Sequence, residues 1–326
     1  MTDDDTDLNQ IEATIAKVGA LREQLSQCVM GQEAVISQVI ICLLAGGHAL
    51  IEGVPGLGKT LLVRALAEAI GGQFSRVQFT PDLMPSDVTG HTMFDMKDQT
   101  WSVRRGPVFC NLLLADEINR APAKTQSALL EVMGEQQVTI EGDTLSVEQP
   151  FTVFATQNPV EQEGTYPLPE AQLDRFLMKI RIDYPTVEEE KAIAQQIVGQ
   201  VGDKLDVTGV EQVMETKTVI GMQQTTAALT IDEQVLDYAV RIVAATRSWS
   251  GVEMGASPRG SLALIRTARA SALLNGNHFV TPDDVKDVAP AVLRHRLTLT
   301  PDYEIEGYSV DRVIEDLLNN VDAPRL

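Results

Sequence analysis

One run of residues constrains this chain more than any other. Gly53-Val54-Pro55-Gly56-Leu57-Gly58-Lys59-Thr60 follows the apolar segment His48-Ala49-Leu50-Ile51-Glu52 and opens a helical pattern, Lys59-Thr60-Leu61-Leu62-Val63-Arg64. Strand, glycine turn and helix in that order fit GxxxxGK[ST], the pattern of a phosphate-binding loop. The physical reasons are local. Gly56 and Gly58 let backbone N–H groups turn toward a polyphosphate, and the helix N-terminus adds a field that favours anions. Lys59 brings a positive charge to the β- and γ-phosphates, and the Thr60 hydroxyl suits Mg²⁺. The loop must sit at the carboxyl edge of a sheet, so an α/β fold follows.

Further strand signals recur at Phe74–Phe79, Asn111–Ala115, Phe151–Thr156 and Phe176–Ile182, with helical stretches between several of them. Five such strands with helical crossovers predict a parallel sheet covered on both faces. Ahead of them, residues 8–28 carry Leu8, Ile11, Ile15, Val18, Leu21 and Leu25 at helical spacing. A second helix runs from about Gln32 to Ala45 and stops at Gly46-Gly47, where glycine can take the left-handed conformation that ends helices. Residues 88–106 and 137–150 read as β-hairpins inserted into this order, the second around Glu141-Gly142-Asp143. Beyond Tyr184-Pro185-Thr186 the pattern is helical near 187–201, 232–247, 257–274, 281–294 and 308–320. Asp232, Ser257, Thr281 and Ser309 are N-cap candidates, and Pro258 and Pro282 suit first helical positions. Residues 202–230 give no clear pattern. The expected organisation is an acidic tail at 1–7, an α/β nucleotide-binding core at 8–185 and a helical lid at 186–326.

A phosphate-binding loop also serves kinases and GTPases. Leu112-Leu113-Leu114-Ala115-Asp116-Glu117 narrows the chemistry, because an apolar run ending in two acids places both carboxylates at the ligand-binding edge of the sheet. Asp116 would hold Mg²⁺ through its water shell, and Glu117 would orient and deprotonate an attacking water. Other chemistries lack their residues. Cys28, Cys42 and Cys110 form no CxxC pair, His48, His91, His278 and His295 show no ligand spacing, and no serine lies in a GxSxG elbow. The balance of 26 basic against 46 acidic side chains gives a net charge of −20. That sign disfavours nucleic acid and anionic membranes, since phosphates need neutralising Lys and Arg. The N-terminus lacks the basic-then-apolar pattern of a secretory signal, and the longest apolar run, Val39 to Gly47, is too short to span a bilayer. A cytoplasmic protein with no direct membrane insertion is the expectation.

GVPGLGKT, LLLADEINRAPAKTQSALLEVM, FATQNP, YPLPEAQLDRF and TPDDVKDVAPAVLRHRL together resemble the MoxR branch of the AAA+ ATPases, over roughly residues 10–325. The resemblance implies an AAA+ P-loop core with a parallel five-stranded sheet and two inserted β-hairpins, then an all-helical lid. It implies ATP and Mg²⁺, and a homo-oligomeric ring, usually a hexamer, with nucleotide between subunits. The Walker A residues Gly53, Val54, Pro55, Gly56, Leu57, Gly58, Lys59, Thr60 and Leu61 would contact nucleotide. Val29 and Gly31 match the segment that packs on adenine. Thr60 and the Walker B residue Asp116 would serve the metal, and Glu117 the water. Asn158 matches sensor 1, although Asn158-Pro159 is also a common turn pair. Arg175 matches the arginine finger that reaches a neighbour's nucleotide; an ion pair with Asp174 or Glu170 is its other use. Arg259 matches sensor 2 in the lid, where a basic residue at a helix start is electrostatically misplaced unless it meets an anion. Arg120 is a second candidate for a subunit interface. Gln136 stands where the family often carries Arg. The family's usual partners are separate proteins with a von Willebrand factor A domain, and ATP hydrolysis would remodel or mature a client, as a chaperone or a cofactor-insertion motor. Three alternatives differ in what the ATPase serves: a metal-chelatase subunit, a DNA-associated AAA+ machine, and a nucleotide-gated scaffold with little turnover.

Overall fold

A computed structural model describes residues 3–29, 31–54, 56–158, 164–197, 207 and 209–325. Two helices lead, α1 (Asp3–Cys28) and α2 (Glu33–Leu44). Then β1 (Ala49–Glu52), α3 (Lys59–Ala69), β2 (Phe74–Gln78), α4 (Pro85–Thr89), β3 (Gly90–Asp95), β4 (Thr100–Arg105), β5 (Leu112–Asp116), α5 (Ala123–Glu135), β6 (Gln137–Ile140), β7 (Asp143–Ser146), β8 (Thr152–Gln157), α6 (Glu170–Leu173) and β9 (Met178–Arg181) follow. From there the chain is mostly helical: α7 (Val187–Ile197), α8 (Thr216–Ala228), α9 (Glu233–Thr246), α10 (Pro258–Leu274), α11 (Pro282–Leu293), α12 (Pro301–Ile305) and α13 (Val310–Asn320).

The sheet order is β2-β5-β8-β1-β9, and every pairing is parallel. Its inner strands carry the apolar runs Ala49–Ile51, Leu112–Ala115 and Val153–Ala155 because both faces are covered. Alternate residues go to opposite sides. Ala49, Ile51, Leu112, Leu114 and Phe154 join one core, and Leu50, Leu113, Ala115, Val153 and Ala155 join the other. β1 lies between β8 and β9, so the sequence order reverses around it. That reversal opens a crevice at the carboxyl ends of the strands, where ligands bind. The two inserted hairpins are β3–β4 and β6–β7, both antiparallel.

Local chemistry accounts for several helix ends. Asp232, Ser257, Thr281 and Ser309 each accept a backbone N–H from the first turn of their helix, and Pro258 and Pro282 begin α10 and α11. Gly46 takes φ +62° and closes α2, with its N–H on Leu43 O and that of Gly47 on Cys42 O. Cys42 and Cys110 are buried, which pushes their thiols up to about 12 and about 11, so both stay neutral fillers of the core.

Three features differ from the sequence expectation. The segment read as an acidic tail is helical from Asp3 onward; acids in a first helical turn offset the macrodipole. Helix α8 occupies the stretch without a clear pattern. Its threonines and Gly221 are weak helix formers, and Glu215 provides no side-chain cap. Tertiary contacts hold it instead: Val219 and Met222 are buried, and Gln223 Nε2 donates to Leu43 O of α2 at 2.8 Å. Two small sheets also occur in the helical half, pairing Thr230–Ile231 with Phe279–Val280 and Val252–Met254 with Thr298–Leu299. Strands this short carry no readable alternation. The core of α1–α3 continues without a break into α8–α11 and α13, so the change from sheet to helices near residue 185 is not a break in packing. Of the stretch expected as helix at 187–201, positions 198–201 lie outside the described residues.

Candidate active site

The loop after β1 and the strand ends of β5 and β8 meet in one cleft of about 410 Å³. It is lined by Gly56, Gly58, Lys59, Thr60, Leu61, Arg64, Arg76, Gln78, Asp116, Glu117, Thr156 and Asn158. Gly56 (φ +90°) and Gly58 (φ +74°) are in the left-handed region, and a Cβ on either would meet no atom within 4 Å. Glycine is therefore demanded by the backbone, and the space in front of it is open for a ligand. Lys59 begins α3 and donates from Nζ to Gly53 O at 2.6 Å. Burial pulls its pKa down, and the nearby Asp116 and Glu117 carboxylates oppose that shift. Val54 and Leu57 flank the turn, and Pro55 lies outside the described residues.

Asp116 closes β5 with both oxygens engaged. Oδ1 accepts the Thr156 hydroxyl at 2.6 Å, and Oδ2 accepts Arg76 Nη2 at 2.7 Å and Nε at 3.0 Å. Glu117 takes φ 56°, ψ 50°, a conformation that costs a non-glycine residue roughly 1–2 kcal/mol. Its N–H donates to Thr156 Oγ1 at 2.9 Å. Its Oε2 accepts Gln78 Nε2 at 2.6 Å and lies 3.1 Å from Arg120 Nε. Asn158, just past β8, is 9% exposed and faces the same cleft.

Arg76 and Gln78 were not legible as site residues. They sit two apart on β2, on one face of an edge strand, and the local pattern names no partner for either. Parallel pairing sets Gln78 beside Asp116, and only that register brings them to the carboxylates. Arg64, one turn beyond Thr60 on α3, is a further missed lining residue.

The remaining assigned residues lie apart. Val29 is buried at the end of α1, and neither it nor Gly31 lines the phosphate cleft. Next to them in the chain, Gln32 Nε2 donates to Leu57 O of the phosphate-binding loop at 3.2 Å. Arg175 and Arg259 line a second cleft of about 440 Å³, with Gly46, Gly134, Gln136, Asp174, Leu262, Arg266 and Arg296. The two clefts share no lining residue. Arg175 is exposed and donates to Leu130 O at 2.6 Å. Asp174 and Glu170, its candidate ion-pair partners, are taken by Arg296 and Thr298. Arg120 is held on Glu117 of its own chain.

Residues 48–178 match the ATPase family associated with various cellular activities (AAA), and residues 244–317 match the AAA lid domain. Chaperone MoxR1 of Mycobacterium tuberculosis is 45% identical over 314 residues, 93% of this chain and 81% of that protein. The uncharacterized protein YeaC of Bacillus subtilis is 44% identical over 307 residues, 94% and 95% of the two chains. This chain is a MoxR-type AAA+ ATPase. A crystal structure of a protein from Cytophaga hutchinsonii superposes with a TM-score of 0.91 at 40% identity, covering 98% of this chain and 99% of that one. As a MoxR-type ATPase the protein hydrolyses ATP, and the first cleft has the loop, the lysine and the paired carboxylates for that chemistry. No described helix of this ATPase is long and apolar enough to cross a membrane.

Proposed function

We propose that this ATPase works as a homo-oligomeric ring, a hexamer in the cytoplasm, and spends ATP on remodelling or maturing a partner protein, as a chaperone or a cofactor-insertion motor. The observation that carries the ring is the separation of the two clefts. Lys59, Thr60, Asp116, Glu117 and Asn158 gather in one, while Arg175 and Arg259 stand exposed in the other. A single chain thus holds half of a site, and a neighbour's second cleft would bring the arginines to the first. The resemblance to a protein named as a chaperone supports the remodelling reading. The partner is a separate protein with a von Willebrand factor A domain.

Each residue then has a task. Backbone N–H groups of Gly56 to Thr60 cradle the phosphates, and Lys59 leaves the Gly53 carbonyl for the β- and γ-oxygens. The segment at Val29 and Gly31 packs on the adenine. Thr60 and Asp116 offer the hard oxygen donors that suit Mg²⁺, and the Asp116 carboxylate is already oriented by Thr156 and Arg76. Bound Mg²⁺ supplies charge neutralisation on the phosphate oxygens. Glu117 accepts the proton of the attacking water, and Asn158 orients that water or the γ-phosphate. Arg175 and Arg259 stabilise charge that develops on the neighbour's γ-phosphoryl group.

Native mass spectrometry of the Glu117→Gln protein with ATP tests the assembly. A six-fold multiple of the 35.5 kDa chain is expected, and a monomer under those conditions would overturn the ring. The same ATP-loaded protein should retain an A-domain partner that an ADP-loaded one releases.

Gln78 gives a second test. Its hydrogen bond holds the Glu117 oxygen that must take a proton. A hydrogen bond to a charged group contributes about 1.5–3 kcal/mol, so even at the lower end Gln78→Ala should raise turnover at saturating ATP about tenfold. A fall in turnover would mean that Gln78 orients Glu117 for catalysis rather than restraining it.

A further inference from the structure

Asp174 lines the second cleft together with Arg175 and Arg259. It caps α6 and precedes Arg175. Its Oδ2 accepts the Ser257 hydroxyl at 2.9 Å, and the Ser257 oxygen in turn accepts the Arg259 N–H at 3.2 Å. Ser257 is the N-cap of α10, so one carboxylate reaches the first turn of the helix that carries Arg259. Its Oδ1 accepts Arg296 Nε at 2.8 Å.

Arg296 completes the frame. Its side chain is 3% exposed. It donates to the carbonyls of Phe176 at 2.7 Å, Leu177 at 3.2 Å and Asp174 at 3.4 Å, and also to Val292 of α11. The guanidinium fork therefore ties the turn at 174–177 to α11, while Ser257 ties the same turn to α10. A charge this buried needs its partner, because removing one member of a buried pair leaves the other uncompensated. None of these groups lines the phosphate cleft of its own chain.

We propose that Asp174 is a positioning residue: its two oxygens, held by Arg296 and Ser257, set Arg175 and Arg259 in one fixed relation, so that both meet a neighbour's nucleotide together. This rests on the reading that the two arginines act across a subunit boundary. Displacing a group by about 1 Å through a change outside the chemistry can cost ~10²-fold in rate. Asp174→Asn keeps the shape but removes the charge that holds both partners. Turnover of the assembled Asp174→Asn ring should fall about 10- to 100-fold, while ATP affinity stays normal.

Mixed rings separate positioning from general damage. Lys59→Ala subunits bind no nucleotide but offer their arginines. Arg175→Ala subunits bind nucleotide but lack the finger, so mixing the two should restore turnover. Placing Asp174→Asn in the Lys59→Ala subunit should remove most of that rescue. Placing it in the Arg175→Ala subunit should leave the rescue intact, because that chain's own second cleft is already idle. Ser257→Ala, which keeps the Arg296 pair, should show the same asymmetry to a smaller degree, and it serves if the Asp174 variant melts early. Equal losses in both placements, or none in either, would overturn the positioning role. Failure of the parent mixture to recover any activity, with mixed rings seen by native mass spectrometry, would instead overturn the trans reading on which the proposal rests.

Discussion

Lys59→Ala should abolish ATP binding, whereas Glu117→Gln should bind ATP as the wild type does and lose its turnover. The two residues face one cleft but act at different stages. Lys59 is half-buried and its burial already disfavours the charge, so its ammonium is poised to gain from polyphosphate oxygens. Hydrogen bonds to charged groups contribute about 1.5–3 kcal/mol each. Losing contacts to two phosphates should weaken binding by at least ~10²-fold. Glu117 makes no contact needed to hold nucleotide. It is the group placed to accept a proton, and an amide cannot do so. General-base catalysis is worth ~10²–10⁴-fold, so a loss of that order is expected. A fluorescent ATP analogue reads the first variant, and phosphate release reads the second. Normal hydrolysis by Glu117→Gln would remove Glu117 from the mechanism.

Arg175→Ala should bind ATP and still turn it over slowly, by ~10³–10⁵-fold if the guanidinium acts as a trans finger. The geometry gives this substitution little structural reason to matter. Arg175 is exposed, and among the described residues its side chain makes one hydrogen bond, to the Leu130 carbonyl at 2.6 Å. The nearby carboxylates are committed elsewhere, so it is not an internal ion pair. Hydrolysis by the wild type should also rise faster than linearly with protein concentration until rings are complete. Near wild-type turnover by assembled Arg175→Ala rings would return the finger to another arginine. Arg120 would then be the next to test, although in the free chain it lies on Glu117.

The motifs that name the chemistry were readable because each acts within one turn of chain. The phosphate-binding loop needs glycines, a lysine and a hydroxyl in a single run. The paired acids need only an apolar strand before them. The caps at Asp232, Ser257, Thr281 and Ser309 were readable for the same reason, since a cap bonds two or three residues ahead. Helix α8 was not readable, because its own residues prefer helix weakly and it is held by packing against distant elements.

The sequence by itself determined the fold class, the five strands, both inserted hairpins and the residues of the phosphate cleft that lie in continuous runs. The family follows from the same motifs. Tertiary structure alone decided which residues those runs would meet. Thr156 reaches Asp116 across 40 positions, and Gln78 reaches Glu117 across 39. Arg296 reaches Asp174 across 122 positions, and Ser257 reaches it across 83. It also decided that Arg259 faces the second cleft beside Arg175 rather than the loop of its own chain. The reason is one of range. Propensity, capping and turn chemistry are set by neighbours in the chain, but a side chain's partner across a sheet or between core and lid is set by strand order, register and packing, and no local pattern encodes those.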